Sequence, residues 1–120
     1  MRLFVLLLLP LTFFTSCGDD NVSAGATVEG QWELTRALRN NNETAMLDGL
    51  ELQFQPDGVL KTNMMGNEQP GTYVWSGEEI VTEGVKVPLT YKITEMTDTT
   101  LLLRSSYRGF QFDFELAKVR

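Results

Sequence analysis

From Glu29 onward, apolar and polar residues alternate in short runs with a period of two. In the first run, Glu29–Leu38, the residues Trp32, Leu34 and Leu38 share one parity. Gln31, Glu33 and Arg39 share the other, as expected of a strand with one buried face. Leu50, Leu52 and Phe54 mark a second strand over Leu50–Gln55, and Val59–Asn63 returns as its partner. Between them Pro56-Asp57-Gly58 is a turn, because Pro sets φ and Gly accepts a positive φ. Gly71–Trp75 and Glu78–Thr82 form another hairpin around Ser76-Gly77, and Glu83-Gly84 turns the chain again. Val85, Val87, Leu89, Tyr91 and Ile93 then hold one parity. Pro88 inside that run lacks a ladder N–H, so the strand lies at an edge or is bulged there. Thr97-Asp98-Thr99 turns into Thr100–Ser105. Arg108–Val119 closes the chain with Phe110, Phe112, Phe114 and Leu116 inward and Gln111, Asp113 and Glu115 outward.

This pattern predicts an all-β domain of eight short strands, an antiparallel up-and-down barrel or a sandwich. Closure would hide the sheet edges through which such a chain could aggregate. No stretch sustains a 3.6-residue period. Two segments interrupt the strands. In Asn40–Gly49, Asn42 either caps one helical turn over Glu43–Asp48, with Gly49 as its stop, or the segment is a loop. Met64–Pro70 is a second loop. Strand direction alternates, so both loops belong at one end of the barrel and the 56–58 turn at the other; the loops would carry any binding. Arg36 falls on the apolar parity, and the expectation is a stem that snorkels or caps the barrel end.

The first twenty residues follow a different pattern. Arg2 is followed by Leu3–Phe14, apolar except for Thr12 and interrupted by Pro10, then Thr15, Ser16 and the single cysteine, Cys17. This is the charged, apolar, small-residue order of a secretory signal. The apolar run is well short of the ~20 residues a membrane-spanning helix needs. Phe14-Thr15-Ser16-Cys17 resembles the lipobox of bacterial lipoproteins, with Phe14 larger than the usual Leu. That resemblance implies cleavage after residue 16 and a diacylglycerol on the Cys17 sulfur, with a further acyl chain such as palmitate on its amino group. Two or more chains hold a protein stably at a membrane. The alternative is an ordinary signal peptide with an incidental cysteine. Gly18–Val28 reads as a flexible tether, so the expected organisation is a leader of residues 1–16, an acylated Cys17 with tether over 17–28, and a barrel over 29–120. Asp19 and Asp20 resemble the acidic export tag of some Bacteroidetes surface lipoproteins, or are a solvated linker. The expected location is the cell envelope, as an outer-membrane lipoprotein facing the periplasm or the exterior.

Composition narrows the chemistry. The net charge is −6 at pH 7, with 16 acidic and 10 basic residues, which argues against nucleic acid as a partner. Histidine is absent, which removes the commonest general base and metal ligand and excludes Ser-His-Asp and Cys-His catalysis within this chain. An acylated Cys17 could neither pair nor bind metal. No cofactor or metal is expected, and nothing in the sequence supports an enzyme.

Several short motifs together resemble the lipocalin-like domains of bacterial lipoproteins. Gly30-Gln31-Trp32 matches the G-x-W of the first lipocalin strand. Phe54-Gln55-Pro56-Asp57-Gly58 resembles an F-x-x-D-G hairpin, and Gly71-Thr72-Tyr73-Val74-Trp75 a G-x-Y-x-W strand. Tyr91-Lys92-Ile93 through Leu101-Leu102-Leu103 fits the same order. The resemblance implies an eight-stranded antiparallel barrel plugged at one end by Gly30 and Trp32, with a late-strand arginine, Arg104 or Arg108, over the indole. It also implies a non-catalytic role, holding a small apolar ligand or, with a solid barrel, docking an envelope protein.

Candidate ligand contacts are Met64 and Met65, an adaptable apolar rim, and Tyr73, Trp75, Tyr91 and Phe112 from an aromatic set that also includes Phe110 and Phe114. Plain core packing accounts for the same rings. Glu78, Glu79 and Glu83 form an acidic hairpin that could do acid–base work or bind Ca²⁺, but no D-x-D-x-D-G loop is present and a solvated face explains them.

Overall fold

A computed structural model describes residues 25–119; the leader, Cys17 and the first part of the tether lie outside the described residues. The strands are β1 (Gly30–Arg39), β2 (Asn42–Thr44), β3 (Glu51–Phe54), β4 (Val59–Thr62), β5 (Gly71–Ser76), β6 (Glu79–Glu83), β7 (Thr90–Met96), β8 (Thr100–Tyr107) and β9 (Phe110–Lys118). Every neighbouring pair is antiparallel, and β1 also pairs with β9, which closes the sheet. β2 and β3 share one side of β1: β2 pairs with Ala37–Arg39 and β3 with Gly30–Glu33. The circumference therefore holds eight strands, an up-and-down antiparallel barrel.

The turns have local causes. Asn40 and Asn41, both at positive φ, make the tight β1–β2 connection, and Arg108-Gly109 does the same between β8 and β9. At 55–58 the Gly58 amide donates to the Gln55 carbonyl at 3.0 Å, with Pro56 leading and Gly58 at φ +87°. The segment over Asn40–Gly49, expected as a helical turn or loop, instead contains β2 followed by an irregular stretch.

Two bulges change which side chains face inward. The β1–β9 register shifts between Leu34 and Arg36, so Trp32 faces in and, beyond the shift, Ala37 does. Arg36 consequently points out and pairs with Glu115 at 2.9 Å, rather than snorkelling from the apolar face. A second shift between Ile93 and Glu95 turns Met96 into the core. The long strand expected from Val85 begins only at Thr90. Val85–Leu89 is an irregular connection whose Leu89 carbonyl still accepts from the Thr82 amide. Pro88 lies within it, outside any ladder.

The interior is filled by Phe54, Tyr91, Phe114, Leu101, Leu103 and their neighbours. Trp32 is 0 % exposed, and its indole N–H donates to the Val28 carbonyl at 2.8 Å. Val28 is itself fully buried and Ala26 packs on the same core. Among the described residues, Ala26 and Val28, both assigned to the tether, thus pack with the plug. Among the described residues the cation over the indole is Lys118, at 4.7 Å, rather than Arg104 or Arg108. Lys118 stands opposite Trp32 in the β1–β9 register, so its stem can lie across the ring. Arg104 instead pairs with Asp113 at 2.8 Å, and Arg108 lies over the Tyr107 ring at 5.2 Å.

Candidate functional site

Alternating strand direction puts the turns 55–58 and 97–99 at the plugged end, with Trp32. The connections 45–50, 63–70 and 84–89 lie at the other end, with the β8–β9 turn. These three connections surround a cavity of about 290 Å³ that opens at the barrel mouth. Its floor is Phe112 and Phe114 of β9. Met46 and Leu47 come from the first connection, and Met64 and Met65 from the second. Lys86, Val87 and Leu89 come from the third, and Tyr107 completes the wall. Met46 and Met65 are each 53 % exposed and Phe110 beside the mouth is 40 % exposed, so the rim is apolar and wet.

Two asparagines lace the three connections together. The Asn63 side chain accepts from the Glu51 amide at 2.8 Å and donates to the Gly49 carbonyl at 2.9 Å, fixing 63–70 to 45–50. Asn67 donates to the carbonyls of Thr62 and Gln69 and accepts from the Lys86 amide at 2.7 Å, fixing 84–89 to 63–70. Gly71 tightens the same junction: a Cβ there would collide with the Glu83 carbonyl oxygen and come within 2.7 Å of Val85 Cγ1. In the single turn Met64–Gly66, Met65 sits at φ +53°, a left-handed conformation costly for a non-glycine residue, with its side chain held out at the rim.

The expected ligand contacts fall into two groups. Met64, Met65 and Phe112 line the mouth. Tyr91 is buried deeper, beside a void of only about 10 Å³ bordered also by Thr62, Asn67 and Thr82. Its hydroxyl makes no hydrogen bond to another described residue, and burial pushes its pKa well above the ordinary phenol value of 10.0. Tyr73 lies on the far side of the core, edge-on to Phe54 at 4.9 Å, with its hydroxyl donating to the Gln55 carbonyl at 2.6 Å. Burial, then the nearby charges of Glu29 and Asp57, raise its pKa. Trp75 donates to the Gly77 carbonyl at 2.9 Å beside the β5–β6 turn. Neither Tyr73 nor Trp75 reaches the mouth cavity. Glu78, Glu79 and Glu83 are all exposed, with Glu79 paired across strands to Lys92.

Met46, Leu47, Lys86, Val87, Leu89 and Tyr107 line the cup beside Phe114 of the expected aromatic set; the sequence named none of these six as a ligand contact, although Met46 and Leu47 fall in the 40–49 segment expected to carry binding. The available signal was apolar residues where strand parity had lapsed: Met46-Leu47 inside a polar loop, and Val87 and Leu89 around Pro88.

The closed eight-stranded antiparallel barrel, plugged at one end by the Trp32 indole and open at the other in an apolar mouth, has a lipocalin-like fold. A crystal structure of a lipocalin-like protein from Bacteroides uniformis superposes with a TM-score of 0.51. The two sequences are 19% identical, and the match covers 76% of this chain and 97% of that one. No family model and no curated protein matches the chain.

Proposed function

We propose that this protein is a non-catalytic lipoprotein of a bacterial envelope that holds a small apolar ligand in the mouth of its barrel. The observation that carries the reading is the cup itself: about 290 Å³, apolar on its floor and most of its wall, and rimmed by exposed methionines. That volume sits at the low end of small-molecule sites, so the ligand is small. Holding Met65 in a left-handed conformation costs of order 1–3 kcal/mol, and its place at the rim supports a binding role. The proposed anchor rests on the order Arg2, Leu3–Phe14, Cys17. The described chain enters at the plugged end, through Val28, so an anchored barrel would carry its mouth on the end away from the point of attachment.

A second reading, docking to an envelope protein, draws on the exposed Met46, Met65 and Phe110 and on the solid packing beneath the cup. Native mass spectrometry of the protein recovered from its source separates the two. A mass excess of a few hundred daltons, lost on denaturation, is the expected result. A co-purifying protein of defined mass would favour docking, and the bare chain alone would count against ligand holding.

A further inference from the structure

Sulfur is unevenly exposed in this barrel. Met46 and Met65, on the lip of the cup, are each 53 % exposed, whereas Met64 beneath them and Met96 in the core are 5 % and 2 % exposed. The single cysteine, Cys17, lies outside the described residues, so the sulfur atoms of the described barrel are all thioethers. The two exposed ones stand on different connections, and Asn63 ties those connections together through the Glu51 amide and the Gly49 carbonyl. Met65 occupies a left-handed position, φ +53°, that glycine or asparagine takes with less strain. Leucine would serve an apolar lip equally well. Methionine differs from it in being oxidisable.

Resting on the ligand reading above, we propose that Met46 and Met65 are the peroxide-sensitive sites of this barrel, and that their conversion to sulfoxides releases the ligand. A thioether lone pair attacks one oxygen of hydrogen peroxide. The O–O bond breaks and an S–O bond forms. The proton on the transferred oxygen passes to the departing hydroxide, which leaves as water. Sulfur loses two electrons and the peroxide gains them. The new sulfoxide oxygen is a polar acceptor that keeps its water, so an apolar body in the cup loses its contact with both lip residues. Met64 and Met96 are shielded, so the core stays packed and the change is confined to the lip. Methionine sulfoxide reductases, one for each sulfoxide epimer, supply the reverse step.

Limited treatment of the protein with hydrogen peroxide tests this, with peptide mass mapping to locate each added oxygen and isothermal titration with decanol before and after. Met46 and Met65 should be oxidised well before Met64 and Met96. Decanol affinity should then fall roughly tenfold, as the loss of a methylene-sized apolar contact at each of two residues warrants. Treatment with both sulfoxide reductases should restore it. The double variant Met46→Leu, Met65→Leu keeps an apolar lip and has no thioether there; both positions are exposed, so it should fold. Whatever its own affinity for decanol, the same peroxide dose should leave that affinity unaltered. Oxidation of Met64 or Met96 as fast as Met46 and Met65 would overturn the site assignment. Full oxidation of Met46 and Met65 with decanol affinity intact, or an equal fall in the double variant, would overturn the release and leave the cup standing. Failure of the untreated protein to bind decanol would overturn the release together with the ligand reading.

Discussion

Gly71→Ala adds one methyl group and removes nothing, which makes it a clean test of how the mouth is held. Gly71 is buried where β5 leaves the 63–70 connection, and its backbone runs against the end of β6. The added carbon would strike the Glu83 carbonyl oxygen and lie 2.7 Å from Val85 Cγ1 and 2.9 Å from the Gly84 carbonyl carbon. Two of those three atoms are backbone and cannot rotate away, so relief requires β5 and the 84–89 connection to part. Overpacking of this kind costs about 1–3 kcal/mol, here at the upper end. Against it stands about 0.4–1 kcal/mol from the lower entropy of an alanine-containing unfolded chain, since Gly71 is not at positive φ. The net expectation is a loss of about 2 kcal/mol, or roughly 8–16 °C in Tm for a domain of this size. Urea denaturation with a matched thermal melt measures it. Gly77→Ala is the control, with open space around its Cβ and only its φ of +62° to oppose the change, about 1–2 kcal/mol. If Gly71→Ala proved no worse than Gly77→Ala, the close approach that pins Lys86, Val87 and Leu89 over the mouth would be wrong.

Other substitutions test the plug, the core and the anchor. Trp32→Ala should cost about 3–5 kcal/mol by chemical denaturation, as large buried aromatic truncations do; a loss below about 1 kcal/mol would mean Trp32 is not the plug. Tyr91→Phe should be neutral or stabilising by up to about 1 kcal/mol because it deletes a buried hydroxyl with no described partner. Tyr73→Phe should cost about 1 kcal/mol through the lost bond to Gln55, and the reverse ranking would contradict the packing. Folding raises the pKa of Tyr91, so its contribution is intact below pH 10 and is lost as pH rises beyond that. Absorbance at 295 nm should show an alkaline step coincident with unfolding, and Tyr91→Phe should move that unfolding to higher pH. Cys17→Ser should release the protein from membranes in fractionated cells; continued sedimentation with membranes would count against the acyl anchor.

The fold was largely readable because strand parity is a local property. Trp32, Phe54 and the Phe112–Phe114–Leu116 series pointed inward as their alternation required. What parity cannot reveal is a single inserted residue. The shift beyond Leu34 turned Arg36 outward, and the one beyond Ile93 brought in Met96. β2 was hidden because Asn42–Thr44 is short and polar, held by its pairing to β1 rather than by burial. The cation on Trp32 was misassigned because register, not residue preference, selects it, and the β1–β9 register puts Lys118 opposite the indole. The site was legible in part for a similar reason. Met64 and Met65 stand in a loop where apolar side chains have no strand to serve, whereas Tyr73 and Trp75 look identical in sequence to mouth aromatics and differ only in which end of the barrel they reach.

The central claim is that the open end, and no other surface, is where this barrel meets its ligand. Backbone amide chemical shifts recorded during titration with decanoate and, in parallel, decanol address it residue by residue. The account predicts perturbations concentrated in 45–50, 63–70 and 84–89 and on β9 near Phe112, with 55–58 and 97–99 unmoved. Shifts centred on those two turns beside Trp32, or none anywhere at saturating probe, would contradict it.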